Sequence, residues 1–175
     1  MARYVTMEEQ VDFDFTRVHR KAFLRRMQAR IFGDPASTRM RSFEGLSNEL
    51  GAFNRVHLGK RVVAVEKIVG SVGRFGDFDQ TFLPTRGSLE PRWKRVDRAY
   101  HRDQDLPPVA LFKLGEAYFV EDGNHRVSVA RYQGNEWIDA EVTVLHGGVS
   151  AAPVQGPGKD PMENKQAVAP QPVAA

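Results

Sequence analysis

The sequence contains no cysteine. Disulfides, thiolate metal sites and cysteine nucleophiles are therefore excluded together. No apolar run approaches the roughly 18 residues that a membrane-spanning helix needs, so no membrane partner is expected. A P-loop, a Ser–His–Asp context and a pair of histidines at zinc-binding helical spacing are also lacking. Charge of one sign is scarce as well, since 25 Lys and Arg face 22 Asp and Glu. With no cysteine and no signal-like start, the expected setting is a reducing cytoplasm.

The apolar fraction of 41% and the aromatic fraction of 10% suffice for a real core. A chain of 175 residues fits one domain with room for extra elements. The small basic excess is uneven. Residues 1–58 hold ten Lys and Arg against seven Asp and Glu, whereas residues 59–146 hold thirteen of each. The composition divides the chain into a basic, helical extension (1–58), a mixed α+β domain (59–146) and a Pro- and Ala-rich tail (147–175) expected to be flexible.

In chain order, residues 1–12 read as polar and loosely held. A helix is expected from Asp12 or Asp14 to Phe32, with Phe15, Val18, Ala22, Met27 and Ile31 on its apolar face and Gly33-Asp34-Pro35 as its stop. Its other side is basic, which suits a phosphate backbone or an ordinary solvated surface. Ser42–Leu50 suggests a short helix and Arg61–Val65 a strand. Gly70-Ser71-Val72-Gly73-Arg74 then pairs two glycines, which allow close backbone approach, with two donors apt for phosphate or ribose. Asp77 and Asp79 suit a metal or a turn, while Phe78 and Phe82 suit packing. Pro91–His101 reads as a helix with Trp93, Val96 and Tyr100 inward and a crowd of arginines outward. Val109–Leu114 and Ala117–Glu121 form a hairpin about Gly115-Glu116. A helix from Asn124 to Gln133, stopped by Gly134, and an alternating strand around Ile138–Val144 complete the domain.

The most informative stretch is Glu121-Asp122-Gly123-Asn124-His125-Arg126, where a strand runs straight into a helix. A helix start offers unpaired N–H groups and the positive end of the dipole, so an anion is stabilised there. Gly123, Asn124, His125 and Arg126 are the candidate phosphate-binding residues, with Gly70, Ser71, Gly73 and Arg74 on the facing side. Glu121 and Asp122 could hold Mg²⁺ against a polyphosphate. Glu121, Asp122 and His125 are the candidate catalytic groups. A plain helix cap and a satisfied His–Arg pair would account for the same residues, and Ser128 is a weak nucleophile candidate.

The order of segments from about Val62 to Leu145 resembles the N-terminal domain of the ParB/sulfiredoxin superfamily. Ile68–Arg74 sits where ParB-like domains carry their first box, and Gly123-Asn124-His125-Arg126 sits at the central box. ParB proteins have Gly-Glu-Arg-Arg there, sulfiredoxins Gly-Cys-His-Arg, and free serine kinases Asp-Gly-x-His-Arg. Asp122–Arg126 is most similar to the kinase form, and the chain also resembles small bacterial ParB-like proteins. The resemblance implies a small mixed sheet with packed helices that binds CTP, ATP or ADP, with Mg²⁺. The basic helix at residues 14–32 and the Arg92–Arg102 face make DNA a further expected partner. Asn124 stands where sulfiredoxins have cysteine, so sulfinic-acid reduction is excluded. Without a following helix-turn-helix, chromosome partition by the full ParB mechanism is not expected. A kinase would need a glutamate in the first half, for which Glu66 is the nearest match. A small-molecule kinase or nucleotide hydrolase, and a DNA-binding regulatory module without free nucleotide, stand as alternatives.

Overall fold

The computed structural model describes residues 5–43 and 53–147. Among these are a six-stranded mixed sheet and three α-helices. The strands are β1 (Arg41–Ser42), β2 (Phe53–Ala64), β3 (Ile68–Ser71), β4 (Val109–Leu114), β5 (Ala117–Asp122) and β6 (Trp137–Gly147), in the spatial order β1-β3-β5-β4-β6-β2. The helices are α1 (Met7–Phe32), α2 (Glu90–His101) and α3 (Asn124–Gln133). The expected tail from 148 onward and most of the expected Ser42–Leu50 helix lie outside the described residues.

The hairpin forms as its sequence requires. Leu114 pairs with Ala117 across Gly115-Glu116, and β4 runs antiparallel to β5. β3 and β6 then flank that pair in parallel. One face of the sheet, through Val63, Ile68, Leu111, Val120, Ala140 and Val142, packs with Val127 of α3 and with Phe78 and Phe82. The opposite face gathers Phe43, Phe112, Phe119 and Leu145. Alternation along β6 supplies both sets, as the period of two requires.

α1 begins earlier than its apolar pattern predicts. Thr6 caps it in a reciprocal box with Glu9, so the helix starts at Met7 and not at Asp12 or Asp14. Its buried face is also set further forward. Val11, Asp14, Phe15, Val18 and Ala22 are buried, whereas Met27 and Ile31 are exposed. The cause is that α1 packs chiefly on α2, which meets only its first half. There Trp93 is fully buried, with ring centroids 5.7 Å from Phe15 and 5.6 Å from Tyr132. Its indole N–H donates to Ser128 Oγ at 2.9 Å, which ties α2 to α3.

Gly70 and Ser71 are absorbed by the sheet. A Cβ on Gly70 would run into the Arg41 carbonyl oxygen and lie 2.9 Å from the Phe119 ring. Ser71 is fully buried and its hydroxyl donates to Val120 O at 3.2 Å. Gly70→Ala is therefore expected to destabilise the fold by about 1–3 kcal/mol through overpacking against backbone. Urea unfolding measures this, and an unchanged midpoint would mean that β1 does not press on β3 as described.

Candidate functional site

β5 leads into α3 through one residue. Gly123 has φ 101° and ψ 23°, and a Cβ there would lie 2.7 Å from Val109 Cγ1. Only glycine meets both the left-handed backbone and the close approach to β4. No side chain caps the helix at Gly123. The first-turn N–H groups, which no helix satisfies internally, thus belong to the wall of the adjoining cavity.

That cavity has a volume of about 440 Å³, within the range of small-ligand sites. Gly123, Asn124, His125 and Arg126 line it from α3, and Glu121 and Asp122 from the end of β5. Gly73 and Arg74 enter from the loop after β3, and Arg92 and Arg95 from α2. Six of the eight expected phosphate-binding residues thus meet at one place. Gly70 and Ser71 do not join them.

Asn124 and His125 are each 5% exposed. Asn124 Oδ1 and His125 Nε2 are buried without a hydrogen-bond partner. Leaving such an atom unsatisfied costs about 1–3 kcal/mol, and both atoms lie behind the cavity wall, out of reach of solvent. The Phe78 ring stands edge-on to the imidazole, with centroids 5.2 Å apart, and fixes its plane. Burial, then the positive charges of Arg92 and Arg74, push the His125 pKa down to about 4. At neutral pH the imidazole is uncharged, and the field around it favours an anion.

The arginines divide into two kinds. Arg126 donates to Pro107 O, to Pro108 O at 2.8 Å and to Asp122 Oδ2 at 2.6 Å. Its guanidinium therefore fastens the Leu106-Pro107-Pro108 connector to the turn. Arg74 makes one bond of 3.1 Å to Asp77 and remains half-exposed. Arg92 and Arg95 are exposed and have no carboxylate partner among the described residues. The apolar periodicity of α2 marks them only as outward-facing. That they face α3 depends on how the two helices cross.

Several other candidates resolve differently. Asp79 accepts from Thr81 N at 2.8 Å and Leu83 N at 3.0 Å, which makes it a turn former. Asp77 pairs with Arg74 and Arg86. Ser128 is 1% exposed and engaged by Trp93, so it does not line the cavity. Glu66 lines a separate, larger cleft of about 1130 Å³ bordered by α1. That cleft is more spacious, but the smaller cavity is the one that joins a helix N-terminus with arginines that have no carboxylate partner among the described residues.

Comparison with protein-family models, with curated proteins and with solved structures found no match to this chain in any of the three.

The low pKa of His125 fixes a pH response. The unfolded chain binds a proton near pH 6.5 and the folded one only near 4, so stability is fully present above 6.5 and is lost as pH falls toward 4. This one group is expected to remove about 2 kcal/mol by pH 5. His125→Gln should flatten that part of the profile. Urea unfolding of both proteins at pH 7 and pH 5 makes the comparison, and equal pH slopes would rule out His125 as the source.

Proposed function

We propose that this chain is a nucleotide-binding protein of ParB/sulfiredoxin-like type, holding phosphates at the N-terminus of α3. The observation that carries the reading is that arginines, a helix N-terminus and two carboxylates line one cavity. Arg74, Arg92, Arg95 and the first-turn N–H groups suit phosphate oxygens. Glu121 and Asp122, exposed at the same cavity, accept hydrogen bonds instead. A fully ionised phosphate has only acceptors. A nucleotide adds ribose hydroxyls and base N–H groups, so it suits both the arginines and the carboxylates.

Mg²⁺ fits the rim, where Glu121 and Asp122 are exposed beside the cavity. Asp122 is already bonded to Arg126, which leaves Glu121 as the less committed carboxylate. A cation there would be held mainly by phosphate oxygens and water, as Mg²⁺ commonly is. Binding without turnover is the favoured mode. An imidazole with a pKa near 4 is a poor proton acceptor at neutral pH, so His125 suits hydrogen bonding better than base catalysis.

The basic helices support a nucleic-acid partner less well. Arg98 is bonded to Glu8 at 2.6 Å and Lys94 to Asp12 at 2.7 Å, so these two α2 charges hold α1 in place. Calorimetry with CTP, ATP and ADP, each with and without Mg²⁺, tests the proposal. One nucleotide should bind, and Arg92→Ala and Arg95→Ala should each weaken it by about 1.5–3 kcal/mol. No binding at millimolar concentration would end the nucleotide reading. Equal affinity for inorganic triphosphate would end the preference for a nucleoside.

A further inference from the structure

A second polar cluster lies at the junction of the three helices. Asp14 comes from α1, and Asp97 and His101 come from successive turns of α2. Asp14 is 4% exposed and Asp97 fully buried. One ligand atom from each of the three residues lies within 4.8 Å of the others. His101 Nε2 stands 3.1 Å from Asp14 Oδ2 and 3.6 Å from Asp97 Oδ2.

We propose that Asp14, Asp97 and His101 form a binding site for a divalent transition cation, with Zn²⁺ the best-matched occupant. Tetrahedral Zn²⁺ with bonds of about 2.0–2.2 Å has ligand atoms about 3.3–3.6 Å apart. The separations of 3.1 and 3.6 Å lie close to that range. Mixed imidazole and carboxylate donors without thiolate match a borderline cation of this kind.

The groups around the cluster support the same reading. Tyr132 OH donates to Asp14 Oδ1 at 2.8 Å, and Gln10 Nε2 donates to both Asp14 oxygens at 3.1 Å. Gln133 Nε2 donates to Asp97 Oδ1 at 2.8 Å. Neutral donors thus hold Asp97 by one oxygen and Asp14 by both, and Oδ2 of each lies toward the imidazole, an arrangement like the one that outer partners give to metal ligands. Asp97 Oδ2, aimed this way, is buried and has no hydrogen-bond donor. Two carboxylates removed from water with one imidazole between them are short of positive charge. The cleft of about 1130 Å³ is lined by Gln10, Asp14, Tyr132 and Gln133, and so approaches the cluster from its Asp14 side. The site is separate from the α3 turn and does not depend on the nucleotide reading.

The test uses the whole chain, freed of metal with EDTA and then titrated with Zn²⁺ and with Co²⁺. Co²⁺ should bind one to one at micromolar concentration, with visible absorption of tetrahedral intensity. Zn²⁺ at 100-fold excess over its Kd should raise Tm by about 5–10 °C. Asp97→Asn and His101→Gln should abolish both effects, and Tyr132→Phe should weaken binding about tenfold. Absence of Co²⁺ bands and of a Tm shift in the folded wild-type chain would overturn the proposal, as would effects that persist in both ligand variants. If a variant fails to fold, paramagnetic broadening in the wild type decides. Loss of amide signals around Asp14, Asp97 and His101 supports the site, and loss centred on another histidine overturns it.

Discussion

The contact between Gly123 and Val109 is the constraint on which the candidate site rests. It lets β5 end and α3 begin within a single residue, flush against β4. Any side chain at that position would push the helix away from the sheet. The first turn of α3 would then no longer share a cavity with the arginines of α2. The apolar side of α3 depends on the same geometry, because Val127 must reach the sheet while Val129 reaches Trp93. One steric fact thus joins the core to the cavity.

Trp93 is the other organising element. It touches Phe15 of α1 and Tyr132 of α3 and donates to Ser128, so three helices share one buried side chain. Arg92 and Arg95 flank it on the α2 backbone. Their distance from the α3 N-terminus is therefore set by the packing of an indole one residue away from the first and two from the second. Charge on α2 is spent in two ways. Lys94 and Arg98 hold α1, while Arg92 and Arg95 are left for the cavity.

Much of the mixed α+β architecture was legible in the sequence. The hairpin about Gly115, the α3 boundaries and the alternating β6 all rest on local signals, and each formed where its pattern placed it. The start of α1 was legible too, in Thr6-x-x-Glu9, but apolar periodicity alone pointed past it. What could not be read was the pairing of distant faces. Nothing local distinguishes Arg92 from Arg98, although one lines a cavity and the other binds Glu8. Asp14 and Asp97 look like surface aspartates on amphipathic helices, and become buried neighbours only because α1 crosses α2 there. The Gly70-Ser71 segment shows the converse. Residues suited to a ligand by type were taken up by sheet packing, because β3 continues through them.

β2 closes one side of the sheet and, among the described residues, pairs with β6 alone. Its exposed Val56, Leu58 and Val62 would make an inviting template for another strand. The register slips between His57 and Gly59, and Lys60 and Arg61 follow directly. A kinked, positively charged margin repels its own copy, so the same strand that completes the sheet also discourages molecules from joining edge to edge.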